Sequence, residues 1–129
     1  MGRRLAAIAF APDLVISSHA KRARRTAKLI IAELDSKPPL RIEPRIYLSG
    51  THELLQLIRE LDEKLHHVTL VGHNPDFTEL ANLLGGTDID NVPTSGVVRL
   101  ELDIESWADV DRGCGRVLDF DYPKRDATG

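Results

Sequence analysis

The residues best placed for chemistry are a histidine and an arginine that each follow a predicted strand. His73 comes directly after Gly72 and the apolar run Val68–Val71. Arg22 lies one helical turn beyond a second apolar run, Leu14–Ile16, which ends in two serines. Parallel strands of one sheet end at the same edge, and open α/β sheets bind ligands there. We therefore expect both side chains to point at one anion.

A guanidinium and an imidazole together suit phosphoryl transfer that needs no metal ion. The guanidinium presents a fork of N–H donors that matches the oxygens of a phosphate. The imidazole donates a hydrogen bond to a phosphoryl oxygen, or carries charge that offsets what builds up during transfer. The plainer alternative is structural: His73 bonded to the backbone and Arg22 on a solvated helix face. The Gly-His-Asn-Pro context favours the functional interpretation.

The segment after His73 has the signals of a helix that starts close to this residue. Asn74 is a suitable capping residue, and Pro75 suits a first helical turn. Apolar residues then recur at helical spacing until Gly85 and Gly86 provide a stop signal. We therefore expect His73 at a junction of strand and helix, where a helix N-terminus favours anions.

A second helix, predicted over Ala20–Leu34, carries Arg22 near its start, with Ser18 as the candidate cap. Its amino-terminal half is strongly basic, through Lys21, Arg22, Arg24, Arg25 and Lys28. Positive side chains at this end oppose the helix dipole, so they require a nearby anion or full solvation. A conflict of this kind is typical of functional sites.

Shorter patterns complete the order of elements and indicate the fold class. They predict a helix over Gly2–Phe10, a proline-interrupted connection over Lys37–Pro44, an extended segment over Arg45–Leu48, a helix from Thr51 to about Leu65, and strands over Val97–Leu102 and Val117–Tyr122. Strands that alternate with helices predict a three-layer α/β domain with a mostly parallel sheet. We expect the strand Val68–Val71 to be buried on both faces. The 129 residues suit one domain.

Composition narrows the classes of function. The formal net charge of −3 gives no general attraction to nucleic acid or membranes. The basic helix leaves a nucleic-acid binder as an alternative, although no base-stacking aromatic residues accompany it. A single cysteine, Cys114, excludes an internal disulfide and fits a reducing compartment, so we expect a cytoplasmic protein. No apolar run in the sequence approaches the length of a membrane span.

Two separated motifs resemble the histidine phosphatase superfamily, which includes the cofactor-dependent phosphoglycerate mutases. They are P-D-L-V-I-S-S-x-A-K-R-A-R-R-T-A over Pro12–Ala27 and L-V-G-H-N-P over Leu70–Pro75. The chain is most similar to the SixA-type phosphohistidine phosphatases, and the likeness continues through Glu53–Leu61 and Pro93–Leu102. The resemblance implies a phosphoglycerate mutase-like fold. It also implies a phosphohistidine phosphatase that uses no metal ion or organic cofactor.

By position, the resemblance implies roles for three residues. Arg22 matches the arginine that clamps the phosphate, and His73 matches the second histidine, which contacts the phosphoryl group beside the nucleophile. Asn74 is expected to contribute a backbone N–H. The implied substrate is a phosphohistidine-bearing protein or a small phosphomonoester. No nucleic-acid or membrane partner is implied, and the oligomeric state is left open.

One family feature is missing from the 129 residues. Members begin with a strand that ends in an Arg-His pair, whose histidine is the nucleophile. None of the five histidines here follows an arginine, and Gly2–Phe10 resembles the helix that normally comes next. We therefore expect a single domain that is incomplete at its amino terminus, with little or no turnover by the chain alone.

The missing strand leaves alternatives for both structure and function. The resemblance places it between the strands Leu14–Ser18 and Val68–Gly72. The natural protein is longer, or the two flanking strands close up, or they recruit a strand from another copy. The functional alternative is a non-catalytic module that binds phosphate or phosphohistidine.

Overall fold

Strands and helices alternate along most of the chain. In this computed structural model the described residues are 12–47, 49–92 and 97–121, so the predicted helix over Gly2–Phe10 lies outside them. The strands are β1 (Leu14–Ser17), β2 (Leu40–Ile42), β3 (Val68–Val71), β4 (Val97–Leu102) and β5 (Gly115–Asp121). The helices are α1 (Lys21–Glu33), α2 (Gly50–Arg59) and α3 (Asp76–Gly85), with short 3₁₀ helices at Pro44–Ile46 and Trp107–Asp109. None of these described helices is long and apolar enough to cross a membrane.

The described backbone forms two compact units. The first consists of the residues through Ser49 together with Asp62–His73, and it contains β1, α1, β2 and β3. The second consists of Gly50–Leu61 and the residues from Asn74 onward, and it contains α2, α3, β4 and β5.

A three-stranded parallel sheet with the order β2-β1-β3 lies at the centre of the first unit. Val15 and Ile16 of β1 are fully buried, because β1 is the middle strand and α1 packs against it. The buried side chains of α1 are Ala23, Ala27 and Ile30. The prediction of an α/β fold with a mostly parallel sheet is confirmed.

The structure decides two points about β3. β1 and β3 pair directly, so no further strand lies between Leu14–Ser18 and Val68–Gly72, as in the alternative in which the flanking strands close up. All four residues of β3 are half-buried rather than fully buried, because β3 is an outer strand of the described sheet. A short apolar run predicts a strand in a parallel sheet, but it does not distinguish a middle strand from an outer one.

The other outer strand, β2, lies earlier in the chain than predicted. The expectation of an extended segment over Arg45–Leu48 is wrong where the structure describes it, because Pro44–Ile46 is a 3₁₀ helix. β2 instead occupies part of the predicted connection. The N–H of Val15 donates to the carbonyl of Pro39 at 3.0 Å, which fastens the start of β2 to β1. Prolines on both sides limit β2 to three residues, as is usual for an outer strand.

In the second unit, α3 packs against α2 and against the antiparallel hairpin of β4 and β5. The buried apolar side chains of the second unit include Leu54, Leu57, Ile58, Leu80, Ala81, Leu84 and Val110. A Cβ atom on Gly85 would lie 2.9 Å from Val117 Cγ2 and 3.2 Å from Leu100 Cδ2, so the close approach of α3 to the hairpin requires glycine. Gly86 follows with a φ of 63°, and the predicted helix stop is confirmed.

The start of α2 differs from the prediction. Thr51 was the expected cap, but the helix begins at Gly50. The N–H of Gly50 donates to Oδ2 of the buried Asp76 at 3.0 Å. The helix also ends earlier than predicted, at Arg59, whose Nε donates to the carbonyl of Val110 at 2.8 Å. Both partners are distant in sequence, so the local pattern does not reveal them.

Candidate functional site

The carboxyl ends of β1 and β3 lie side by side. Ser17 is in register with Val71, and the N–H of Ser18 donates to the Val71 carbonyl at 3.0 Å. His73 follows two residues after Val71. The structure therefore places His73 where the sequence predicted it, at the carboxyl edge of a parallel sheet.

A side-chain hydrogen bond joins the two strand ends. Nε2 of His73 lies 2.8 Å from Oγ of Ser18. The same Oγ accepts the N–H of Ala20, immediately before α1, at 3.1 Å. Ser18 is fully buried and His73 is half-buried. Ser18 thus bonds the residue before α1 and an imidazole ring at the same time, but the prediction that it caps the helix is wrong, because Ala20 occupies the capping position.

Two further rings continue outward from His73, the second in contact with the first. Tyr47 stands edge-on to it, with ring centroids 5.0 Å apart and ring planes at 80°. The ring of His19 is tilted by 58° against the ring of Tyr47, with a centroid distance of 5.3 Å. Tyr47 and His19 are both exposed, so these rings form an aromatic rim that is open to solvent. Contacts between ring edges and faces of this kind are favourable and restrict the orientation of the rings.

The sequence interpretation missed Ser18 as the partner of His73 and Tyr47 as its neighbour. For Ser18 a partial signal was present: in parallel register, the residue after β1 comes level with Gly72, the neighbour of His73. For Tyr47 no local signal exists, because the 3₁₀ helix Pro44–Ile46 determines where its ring lies.

Arg22 lies in the first turn of α1, which begins at the same edge of the sheet. Its side chain is exposed, and within the described residues it makes no hydrogen bond or ion pair. The structure therefore brings the backbone of Arg22 and the ring of His73 to one edge without a direct contact between the two side chains.

The start of α1 carries positive charge that the helix itself does not neutralise. Its first turn contains no acidic residue, and the residue before it, Ala20, provides no side-chain cap. A shallow groove along the helix is lined by Lys21, Arg24, Arg25, Lys28 and the exposed Leu29. These cations add to the positive end of the helix dipole, so an anion at this end is favoured.

Asn74 begins the second unit, and its side chain is engaged there. Oδ1 accepts the N–H of Thr78 at 3.2 Å and the hydroxyl of Thr78 at 2.7 Å. Nδ2 donates to Oδ1 of Asn91 at 3.1 Å. The side chain of Asn74 thus bonds the first turn of α3, although Pro75, and not Asn74 as predicted, occupies the capping position. The role expected for its backbone N–H stays a prediction.

At the opposite end of β1 and β3, a carboxylate joins the two strands. Oδ2 of the exposed Asp13 accepts the N–H of His66 at 2.7 Å and the N–H of His67 at 3.1 Å. Both bonds favour the ionised carboxylate, so the pKa of Asp13 lies below its ordinary value of 3.8. No group of three histidine, cysteine or carboxylate side chains in the described part of the chain is arranged to hold a metal ion.

The chain has relatives among known proteins, although no family model matches it. The uncharacterized proteins MT1313 and Rv1276c, from two strains of Mycobacterium tuberculosis, are each 31% identical to it over 124 residues. The match covers 88% of this chain and 75% of each relative.

Two solved structures share the fold. A protein from Agrobacterium tumefaciens, assigned as the phosphohistidine phosphatase SixA, has a TM-score of 0.77 and 26% identity, over 95% of this chain and 75% of that chain. A protein from Nakamurella multipartitia with the same assignment has a TM-score of 0.75 and 20% identity, over 95% and 77%. At the lower identity, the likeness concerns the fold alone.

Proposed function

We propose that the chain, which resembles the histidine phosphatase superfamily in its motifs and has the fold of SixA-type proteins, acts on phosphorylated histidine. The proposed substrate is a phosphohistidine side chain on another protein, and small phosphomonoesters are the second class. No metal ion or organic cofactor takes part in this proposal.

The observation that supports this proposal most directly is the contact between His73 and Ser18 at the sheet edge. A ring held by a buried hydroxyl needs little rearrangement when negative charge develops on a phosphoryl group. We assign to His73 the stabilisation of that group. Arg22 binds the phosphoryl oxygens through its N–H fork, and the backbone N–H of Asn74 is an additional donor.

The charges around Arg22 support the same assignment. The guanidinium has no ion pair within the described residues, so binding a phosphate breaks no such contact. A bound oxyanion would also relieve the unfavourable interaction of the basic first turns of α1 with the helix dipole.

In the reaction that the family resemblance suggests, a nucleophilic histidine takes the phosphoryl group as the P–N bond of the substrate breaks. Water then hydrolyses the new phosphohistidine and releases inorganic phosphate. In both steps His73 and Arg22 balance the charge spread over the phosphoryl oxygens. The second candidate is a module that binds phosphohistidine without turnover.

Side-by-side measurements of binding and turnover distinguish these candidates. Orthovanadate, a phosphate mimic, is titrated into the whole chain, and release of inorganic phosphate from a phosphohistidine peptide is followed separately. We expect vanadate binding with little or no phosphate release from these 129 residues. Rapid phosphate release would show that the nucleophile lies within these residues, and absence of both signals would refute both candidates.

The role of Arg22 has a matched control on the same helix. Replacing an arginine that makes charged hydrogen bonds costs about 1.5–3 kcal/mol, so Arg22→Gln should weaken vanadate binding roughly ten- to a hundredfold. Arg24→Gln removes the same charge from an exposed position two residues away and should change binding less than about twofold. Equal losses in both variants would mean that only the general positive charge of α1 matters.

A further inference from the structure

Two neighbouring serines at the end of β1 are equally buried but have different hydrogen-bond partners. Ser17 and Ser18 are both 0% exposed. The hydroxyl of Ser17 donates to the backbone carbonyl of Ser18 at 2.9 Å. The hydroxyl of Ser18 instead contacts the N–H of Ala20 and Nε2 of His73. Ser18 therefore connects the buried end of β1 to a titratable ring, and Ser17 does not.

The hydrogen-bonding capacity of Ser18 determines the direction of the bond to His73. A hydroxyl has one hydrogen to donate and two lone pairs. The N–H of Ala20 can only donate, so it occupies one lone pair. Within the described residues, the ring of His73 is the remaining partner of this hydroxyl. If Nε2 carried a hydrogen, the buried O–H of Ser18 would have no acceptor among the described residues, which is unfavourable.

We propose that Ser18 donates its hydroxyl hydrogen to Nε2 of His73 and thereby selects the neutral tautomer that carries its proton on Nδ1. The edge-on ring of Tyr47, 5.0 Å away, resists the rotation that would exchange the ring atoms facing Ser18. Ser18 is thus a positioning residue that acts through His73. The functional part of this inference rests on the proposed function: Nδ1–H is the group with which the neutral ring donates to a phosphoryl oxygen.

A hydrogen bond between serine and histidine also occurs in enzymes that use the serine as a nucleophile. Burial excludes that role for Ser18. A nucleophile must approach the phosphorus atom, whereas Ser18 is 0% exposed. Its oxygen also accepts a backbone N–H at 3.1 Å, which lowers the availability of its electrons. The positioning role uses the contact without requiring access to Oγ.

Long-range ¹H–¹⁵N NMR spectra of the whole chain test the proposal without any ligand. At a pH where the ring is neutral, Nε2 of His73 should give the signal of an unprotonated nitrogen and Nδ1 that of a protonated one. Comparison with His73→Gln identifies the ring signals among those of the five histidines. A protonated Nε2 in the unaltered chain would overturn the proposal, whatever happens to the variants.

Two matched variants show whether Ser18 is the cause. Ser18→Ala should move the ring population toward the Nε2-protonated tautomer, whereas Ser17→Ala, an equally buried serine, should leave it unchanged. Ser18→Thr keeps the hydroxyl and should restore the pattern of the unaltered chain. Identical spectra for Ser18→Ala and the unaltered chain, or equal shifts in both alanine variants, would contradict the proposal.

Titration of the same samples with inorganic phosphate separates this inference from the proposed function. Loss of one hydrogen bond of ordinary strength should weaken phosphate binding in Ser18→Ala roughly three- to tenfold. Unchanged affinity in Ser18→Ala would refute the positioning role. The expected tautomer in a chain that binds no phosphate would support the role of Ser18 in orienting His73 and refute the proposed function.

Discussion

The two ends of the β1–β3 pair are joined by side chains in different ways. At the amino end, the exposed carboxylate of Asp13 accepts the backbone N–H groups of His66 and His67. At the carboxyl end, the buried hydroxyl of Ser18 contacts the imidazole ring of His73. Histidines occur at both ends. The described hydrogen bonds at the amino end use their backbone N–H groups, whereas the hydrogen bond at the carboxyl end uses an imidazole ring.

This difference distinguishes a structural contact from a candidate site. A carboxylate that accepts backbone N–H groups holds two strands together and leaves little chemistry to perform. An imidazole oriented by a buried hydroxyl, with cations of α1 at the same sheet edge, can bind an anion. The amino end is thus the natural control for experiments on the carboxyl end.

The largest expected effect is a loss of vanadate affinity when the histidine at the carboxyl end is replaced by glutamine, compared with the same replacement at the amino end. His73→Gln removes the ring proposed to hold the phosphoryl group and should weaken vanadate binding roughly ten- to a hundredfold. His66→Gln keeps the backbone N–H that bonds to Asp13 and should change binding less than about twofold. Isothermal titration calorimetry measures the vanadate affinity of both variants and of the unaltered chain. A similar loss in each would mean that the two ends do not differ in function.

A smaller effect is expected on stability from the amino end. Asp13→Ala removes the acceptor of two backbone N–H groups, and loss of a comparable helix cap costs about 1 kcal/mol. Because Asp13 is exposed, we expect at most about that decrease in the free energy of unfolding in urea. Vanadate binding should be unchanged. Asp35→Ala, at an exposed aspartate without a hydrogen bond in the described residues, should change neither quantity.

The smallest expected effect is the pH dependence of the contribution that Asp13 makes to the free energy of unfolding. The pKa of Asp13 is lowered in the folded chain because two backbone N–H groups favour the carboxylate. Its stabilising effect is therefore fully present above the unfolded value near 3.8 and is lost as the pH falls through the lower folded value. Urea unfolding of the chain and of Asp13→Asn, from neutral pH down to about pH 2.5, should give curves that converge below that value. A constant difference at all pH values would contradict this origin.

Much of the fold follows from local sequence patterns, and the family resemblance is confirmed by the structural neighbours. The runs around Val15 and Leu70 predict strands because buried apolar residues have that spacing, and Gly86 stops α3 because its φ is positive. β2 was misplaced because pairing with β1, not its own composition, makes Leu40–Ile42 a strand. A local pattern does not contain the partner of such a segment.

The sequence predicted where the site residues lie along the strands and helices better than it predicted which side chains they contact. His73 follows β3 and Arg22 begins α1, since strand ends and helix starts are local features. The partner of His73 depends on the register between β1 and β3, and the position of Tyr47 depends on how a 3₁₀ helix turns the chain. Both are results of tertiary packing, which a single strand or helix does not encode.

The prolines around β2 have a consequence for the behaviour of the chain at high concentration. Pro39 and Pro44 carry no N–H, and the exposed Arg41 between them forms an ion pair with Glu43 at 2.9 Å. A strand from another molecule that approached this side of the sheet would meet a very short, charged edge strand flanked by prolines that have no N–H to donate. Such borders discourage intermolecular β-sheet growth, so this flank is built to resist aggregation.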